Sequence, residues 1–151
     1  MFNLSNSDLV TSLELPEVDR RFNRTVQEYV EIIRDLTEQS AVARVKDIAE
    51  QRGVTRSSVS TALNSLVELG LVTHEHYGYV TLTESGRDLG EILTRRHQII
   101  RQFLEKLLRL EPETADREAC ILEHSMSPET LNALLRFIRK VDGCPRCCGA
   151  D

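Results

Sequence analysis

Between Val45 and Leu82 the hydrophobic pattern changes its period, and no other stretch of the 151 residues constrains the fold as tightly. Val45, Ile48 and Ala49 fall at helical spacing in a short segment ending at Arg52. Gly53 then suits the positive φ that stops a helix. A second segment, from about Arg56 to Leu69, places Val59, Ala62, Leu63, Leu66 and Val67 on one face and is closed by Gly70. Two helices joined by so short a turn containing glycine form a helix-turn-helix. After Gly70 the residues become β-branched and aromatic. Leu71–His74 and Tyr79–Leu82 flank a turn near Tyr77-Gly78, which predicts a hairpin, or wing.

The flanking segments are helical. From Thr25 to Glu38 the apolar residues Val26, Tyr29, Val30, Ile33 and Leu36 recur at three and four, with Thr25 as the expected N-cap. Thr83 caps a long helix through Leu108 that carries Leu89, Ile92, Leu93, Ile99, Ile100, Phe103, Leu104 and Leu107. Pro112 opens a helix over about Glu113–Ser125, and Ser127-Pro128 starts a last one striped by Leu131, Leu134, Leu135 and Ile138. With 5% aromatic residues and no Trp, the core is aliphatic. The expected fold is mainly α, a winged helix-turn-helix domain over residues 25–88 followed by an all-helical domain over residues 89–142. A loosely ordered arm (1–24, with Pro16) and a cysteine-rich tail (143–151) complete the chain.

Hydrophobic residues at 40% and charged residues at 28% exclude a disordered, collagen-like or disulfide-scaffold chain. No apolar run approaches the ~20 residues a membrane span needs. Met1–Arg20 lacks the basic start and apolar centre of a signal peptide, so a cytoplasmic protein with no membrane partner is expected. The net charge of −5 counts at first against nucleic acid. However, residues 1–43 hold 8 acidic and 4 basic residues, whereas residues 44–96 hold 7 of each. The surplus acid lies mainly outside the helix-turn-helix.

A helix-turn-helix with a wing most often lays its second helix in the major groove of DNA. The face opposite the core stripe presents Thr55, Arg56, Ser57, Ser58, Ser60, Thr61 and Asn64, short groups that approach closely and hydrogen-bond phosphates or base edges. Arg44 and Lys46, near the entry to the preceding helix, suit phosphate contact. The same face would serve a helical hairpin used for protein contact, its Ser and Thr then being a solvated surface. On the wing, His74 and His76 share one strand face, as a metal pair or as exposed phosphate-touching rings.

Cys120, Glu123 and His124 stand at i, i+3 and i+4, so a thiolate, a carboxylate and an imidazole share one helix face. Each can ligate a divalent transition metal. Glu28 and Glu31 lie three apart on the first helix, and His97 falls midway along the long one. A cysteine nucleophile with His124 as base would lack an orienting third group and an oxyanion hole, so an enzyme is not expected.

These elements occur in a telling order. Glu-Tyr-x-Glu begins at Glu28, Val-Lys-Asp-Ile-Ala at Val45 and Arg-Ser-Ser-Val-Ser at Arg56. Tyr-Gly-Tyr-Val-Thr-Leu-Thr-x-x-Gly follows from Tyr77, Arg-Arg-His from Arg95, and Cys-x-x-Glu-His-x-Met-Ser from Cys120. From about Thr25 to Lys140 the chain resembles the diphtheria-toxin-repressor and manganese-transport-regulator family of metal-dependent repressors. The resemblance implies a homodimer that binds double-stranded operator DNA, with Fe(II) or Mn(II) as corepressor. Carried over residue by residue, the manganese-type site uses Glu28, Glu31, His97, Glu123 and His124. Its sixth ligand is a carboxylate in that branch but Cys120 here. Cys-x-x-Glu-His matches the iron-type primary site instead, although that branch has Met where this chain has Glu28. The iron-type ancillary site would need a carboxylate where Arg101 stands and a histidine where Asp116 stands. Long iron-type members also carry an SH3-like third domain, for which 151 residues leave no room. Thiolate softness leans the expectation to Fe(II), with Mn(II) close behind, while Zn(II) or Co(II) would bind in vitro. Without metal, Glu28, Glu31 and Glu123 would repel one another.

Cys144, Cys147 and Cys148 form a second cluster, either an exposed reducible tail or part of a further metal or redox site. The rival functional reading is accordingly a winged-helix regulator that responds to redox state or a small molecule through its thiols.

Overall fold

A computed structural model describes residue 18, residues 21–75 and residues 78–142, without the side chains of residues 128 and 139–142. The expected arm is therefore largely, and His76 and the cysteines at 144, 147 and 148 entirely, outside the described residues. The chain divides into two compact units, Val18–Thr94 and a second that contains residues 95–142.

The first unit is a winged helix-turn-helix. Helix α1 spans Arg24–Ser40, strand β1 Ala43–Arg44, helix α2 Val45–Arg52 and helix α3 Arg56–Glu68. Strands β2 (Val72–His74) and β3 (Tyr79–Leu82) form the wing, and helix α4 starts at Glu84. The antiparallel sheet has the order β1-β3-β2, with Ala43 opposite Val80 and Thr73 opposite Thr81. Strand β1 carries no sequence signal, being two residues held only by pairing with β3.

Local chemistry explains the helix ends. Asn23, not Thr25, caps α1. Its backbone is extended and its side-chain oxygen accepts from Val26 N at 3.0 Å, whereas Thr25 already lies within the helix. Gly53 stops α2 at φ 70, and its N–H reaches back to the carbonyls of Ala49 and Glu50. Thr55 caps α3 by accepting from Ser58 N, and Thr83 caps α4 by accepting from Gly86 N. Val30, Ile33, Ile48, Val59, Leu63, Leu71, Val80 and Leu93 form the centre of the core. The α3 stripe differs from expectation at Val67, which is 45% exposed because the buried side of the helix is completed by Leu63 and Leu66. Gly86 permits a close approach: a Cβ there would lie 2.0 Å from the Leu71 carbonyl oxygen.

The second unit holds the end of α4 (which runs to Lys106), α5 (Pro112–Ser125) and α6 (Pro128–Asp142). Ile100, Leu104, Ala115, Ala119, Leu131 and Leu135 make its core. The alanines let α5 pack closely, and Phe103 meets Phe137 edge-on at 6.4 Å. Among the described residues no helix is long and apolar enough to cross a membrane.

Candidate metal centre and nucleic-acid face

Helix α5 starts with Pro112 in its first turn, where a missing N–H costs nothing, and runs unbroken to Ser125. Its regular pitch brings the donor atoms of Cys120, Glu123 and His124 within 4.8 Å of one another. The Glu123 side chain is 1% exposed and that of His124 is fully buried, while Cys120 is exposed at the rim. The group thus combines a buried face with an accessible thiol.

His97, from α4, joins it. Its Nδ1 lies 3.1 Å from Glu123 Oε1 and its Nε2 3.0 Å from Asp116 Oδ1. An imidazole held between two carboxylates donates from both nitrogens only when protonated. Its pKa accordingly rises to about 9. The hydrogen bond to Glu123 is the main cause, burial opposes it, and Asp116 adds to it. Arg96 is buried as well. Burial pulls its pKa down and the charge of Glu123 pushes it back up. A buried carboxylate is costly unless compensated, and here two cationic groups compensate it. Arg101 Nη1 approaches Asp116 at 3.5 Å, and Arg101 Nε pairs with Glu105 at 2.7 Å.

The donor set fits a divalent transition metal, offering soft sulfur, imidazole nitrogen and carboxylate oxygen on adjacent turns. Once deprotonated, His97 would present its lone pair at the same carboxylate. Glu28 and Glu31 lie on α1 in the first unit, outside that donor group. The Glu28 carboxylate accepts from Arg24 Nε at 2.9 Å and from Arg52 Nη2.

The candidate DNA face is built on α3. Arg56, Ser57, Ser58, Ser60, Thr61 and Asn64 are all exposed, opposite the buried Val59, Leu63 and Leu66. Ser60 and Thr61 donate to the carbonyls of Arg56 and Ser57, which folds their short side chains against the helix. Thr55 is exposed and serves as the cap. Arg44 rests over the Tyr79 ring at 5.5 Å, and Lys46 faces Glu50 at 3.8 Å. His74, at the end of β2, is exposed.

Two family models match consecutive stretches. The iron dependent repressor N-terminal DNA binding domain matches residues 21–80, and the iron dependent repressor metal binding and dimerisation domain matches residues 83–148. The transcriptional regulator MntR of Escherichia coli O157:H7 is 36% identical over 127 residues, covering 84% of this chain and 80% of that protein. The chain belongs to the iron-dependent repressor family. Its relatives in this family include the MntR regulator of Geobacillus kaustophilus, 35% identical over 68% of the chain and 72% of that protein. Two solved structures share the fold: IdeR of T. acidophilum (TM-score 0.64, 28% identity) and the manganese regulator SloR (TM-score 0.62, 30% identity). Each is covered over 79% of this chain, which spans 55% of the length of either structure. The repressor is therefore a metal-dependent transcriptional regulator built from a DNA-binding domain and a helical metal-binding and dimerisation domain.

Three features of this repressor escaped the hydrophobic pattern. Asp116 precedes Cys120 by four and Glu123 by seven, a helical stripe that marks it as a neighbour of the candidate donor group. Arg96 occupies a buried position that its residue type argues against. Arg52 meets Glu28 across 24 residues of sequence, a distance at which no periodicity speaks.

Proposed function

We propose that this repressor binds double-stranded operator DNA as a homodimer with Fe(II) or Mn(II) as its corepressor. The convergence of Cys120, Glu123 and His124 within 4.8 Å is the observation that carries this reading. The proposed ligands are Glu28, Glu31, His97, Cys120, Glu123 and His124. A divalent ion held there would supply the positive charge that these carboxylates need when buried. Glu123 and His97, hydrogen-bonded to each other at 3.1 Å, would both turn to the ion as ligands, His97 in its neutral form. His124, buried one turn from Cys120, would add an imidazole nitrogen to the donor set. The thiolate favours Fe(II), while the surplus of carboxylates also suits Mn(II). On the DNA side, Arg56, Ser57, Ser58, Ser60, Thr61 and Asn64 read or touch the duplex. Thr55 holds the start of their helix, and Arg44 and Lys46 contact phosphate.

The test is an anaerobic fluorescence-anisotropy titration. The duplex is one selected from random sequence in the presence of Mn(II). Allosteric coupling of ~1–3 kcal/mol makes a chelator weaken binding by about 5- to 150-fold. His124→Ala produces a similar loss. Unchanged affinity after both treatments refutes metal dependence, and affinity insensitive to salt refutes phosphate contact.

A further inference from the structure

We propose that Arg52, paired with Glu28, competes with the divalent ion for that carboxylate. The inference rests on the reading of Glu28 as a ligand. Both oxygens of the Glu28 carboxylate are engaged. Oε1 accepts from Arg24 and Oε2 from Arg52. The two arginines differ in kind. Arg24 lies one turn earlier on the same helix and is 55% exposed, the setting in which an ion pair contributes least. Arg52 is 33% exposed and meets a carboxylate that is 17% exposed, so this pair is better shielded from water.

Arg52 also ends α2, immediately before the Gly53 turn into α3. The contact therefore pins the end of one helix of the helix-turn-helix to α1. A carboxylate oxygen whose lone pairs face a guanidinium is poorly available to a second cation, and the two cations repel. Ligation through Glu28 Oε2 thus competes with the Arg52 contact. Metal binding and release of the α2 end become one exchange, which couples the ion to the DNA-binding unit through a named side chain. Arg52 is a positioning residue in this scheme, not a ligand.

Mn(II) binding to the full-length protein, read from the electron paramagnetic resonance signal of the free ion, tests the exchange. Removing a partly shielded competing pair through Arg52→Gln raises Mn(II) affinity about fivefold. Arg52→Lys keeps the charge and stays within about twofold of the parent. Glu28→Gln lowers affinity about tenfold or more, as expected on removing a ligand, and makes Arg52→Gln silent in the double variant. If Arg52→Gln leaves affinity unchanged or lowers it while Glu28→Gln weakens binding, the competition is wrong and the ligand reading stands. If Arg52→Gln acts equally in both backgrounds, the effect is general charge and the proposal is overturned. If Glu28→Gln changes nothing, Glu28 is not a ligand and both readings of it fall.

Discussion

Asp116→Asn probes the proton on His97, beside the proposed metal ligands. His97 sits between Glu123 and Asp116, and its pKa stands near 9 instead of the ordinary 6.5. At about 1.36 kcal/mol per pKa unit the proton is held by roughly 3 kcal/mol at most. The His97 side chain is 25% exposed, so water screens part of that. The sign follows from the raised folded value. The protonated ring stabilises the metal-free fold fully below about pH 6.5, and the contribution is lost as pH rises through about 9. Ligation by His97, as proposed, needs the neutral ring, so metal affinity would run the opposite way and rise as the proton leaves. The Asp116 side chain is 55% exposed and makes one of the two hydrogen bonds, so its loss lowers the His97 pKa by about half a unit to one unit. Mn(II) affinity at pH 7 then rises about threefold to tenfold. Cys120 also loses a proton on binding, but it is common to both proteins and cancels in the comparison. Imidazole resonances of the metal-free protein followed by NMR from pH 5 to 10 give the pKa directly, and Mn(II) titrations at pH 7 give the affinity. A His97 titration near 6.5 in the parent protein, or an affinity that falls in Asp116→Asn, refutes the reasoning.

Two stability tests address the scaffold. Gly86→Ala gains about 1 kcal/mol of helix propensity but drives a Cβ to 2.0 Å from the Leu71 carbonyl oxygen, which also accepts the Thr83 N–H. Overpacking against backbone outweighs the gain, so urea unfolding shows a net loss of about 2 kcal/mol, and an unchanged midpoint contradicts the close approach. Asn23→Ala costs about 1 kcal/mol by removing the cap of α1, whereas Thr25→Ala stays within about 0.5 kcal/mol. Thermal melts of the pair that reverse this order would return the cap to Thr25.

Local order was legible in the residues because it depends on neighbours. The switch from helical to strand spacing at Gly70, the stop at Gly53 and the proline starts of α5 and α6 each report a constraint within a few residues. The convergence of candidate donors on α5 was legible for the same reason, since Cys120, Glu123 and His124 share a face of one helix whatever surrounds it. Even there, neighbouring caps are easily confused. Asn23 and Thr25 are both good N-cap types, and only the extended backbone at Asn23 separates them.

The tertiary structure decided everything that joins distant residues. Periodicity cannot show that Ala43 and Arg44 become a strand, because their backbone groups are satisfied only by β3. Nor can it show that Val67 faces water while Leu66 is buried, since that depends on where the sheet lies. The protonation of His97 depends on carboxylates 19 and 26 residues away, and the clamp on Glu28 on an arginine 24 residues away. Composition and spacing name which donors a helix can offer. The charge they carry is set by neighbours in space, because electrostatic energy depends on distance and burial and not on sequence separation.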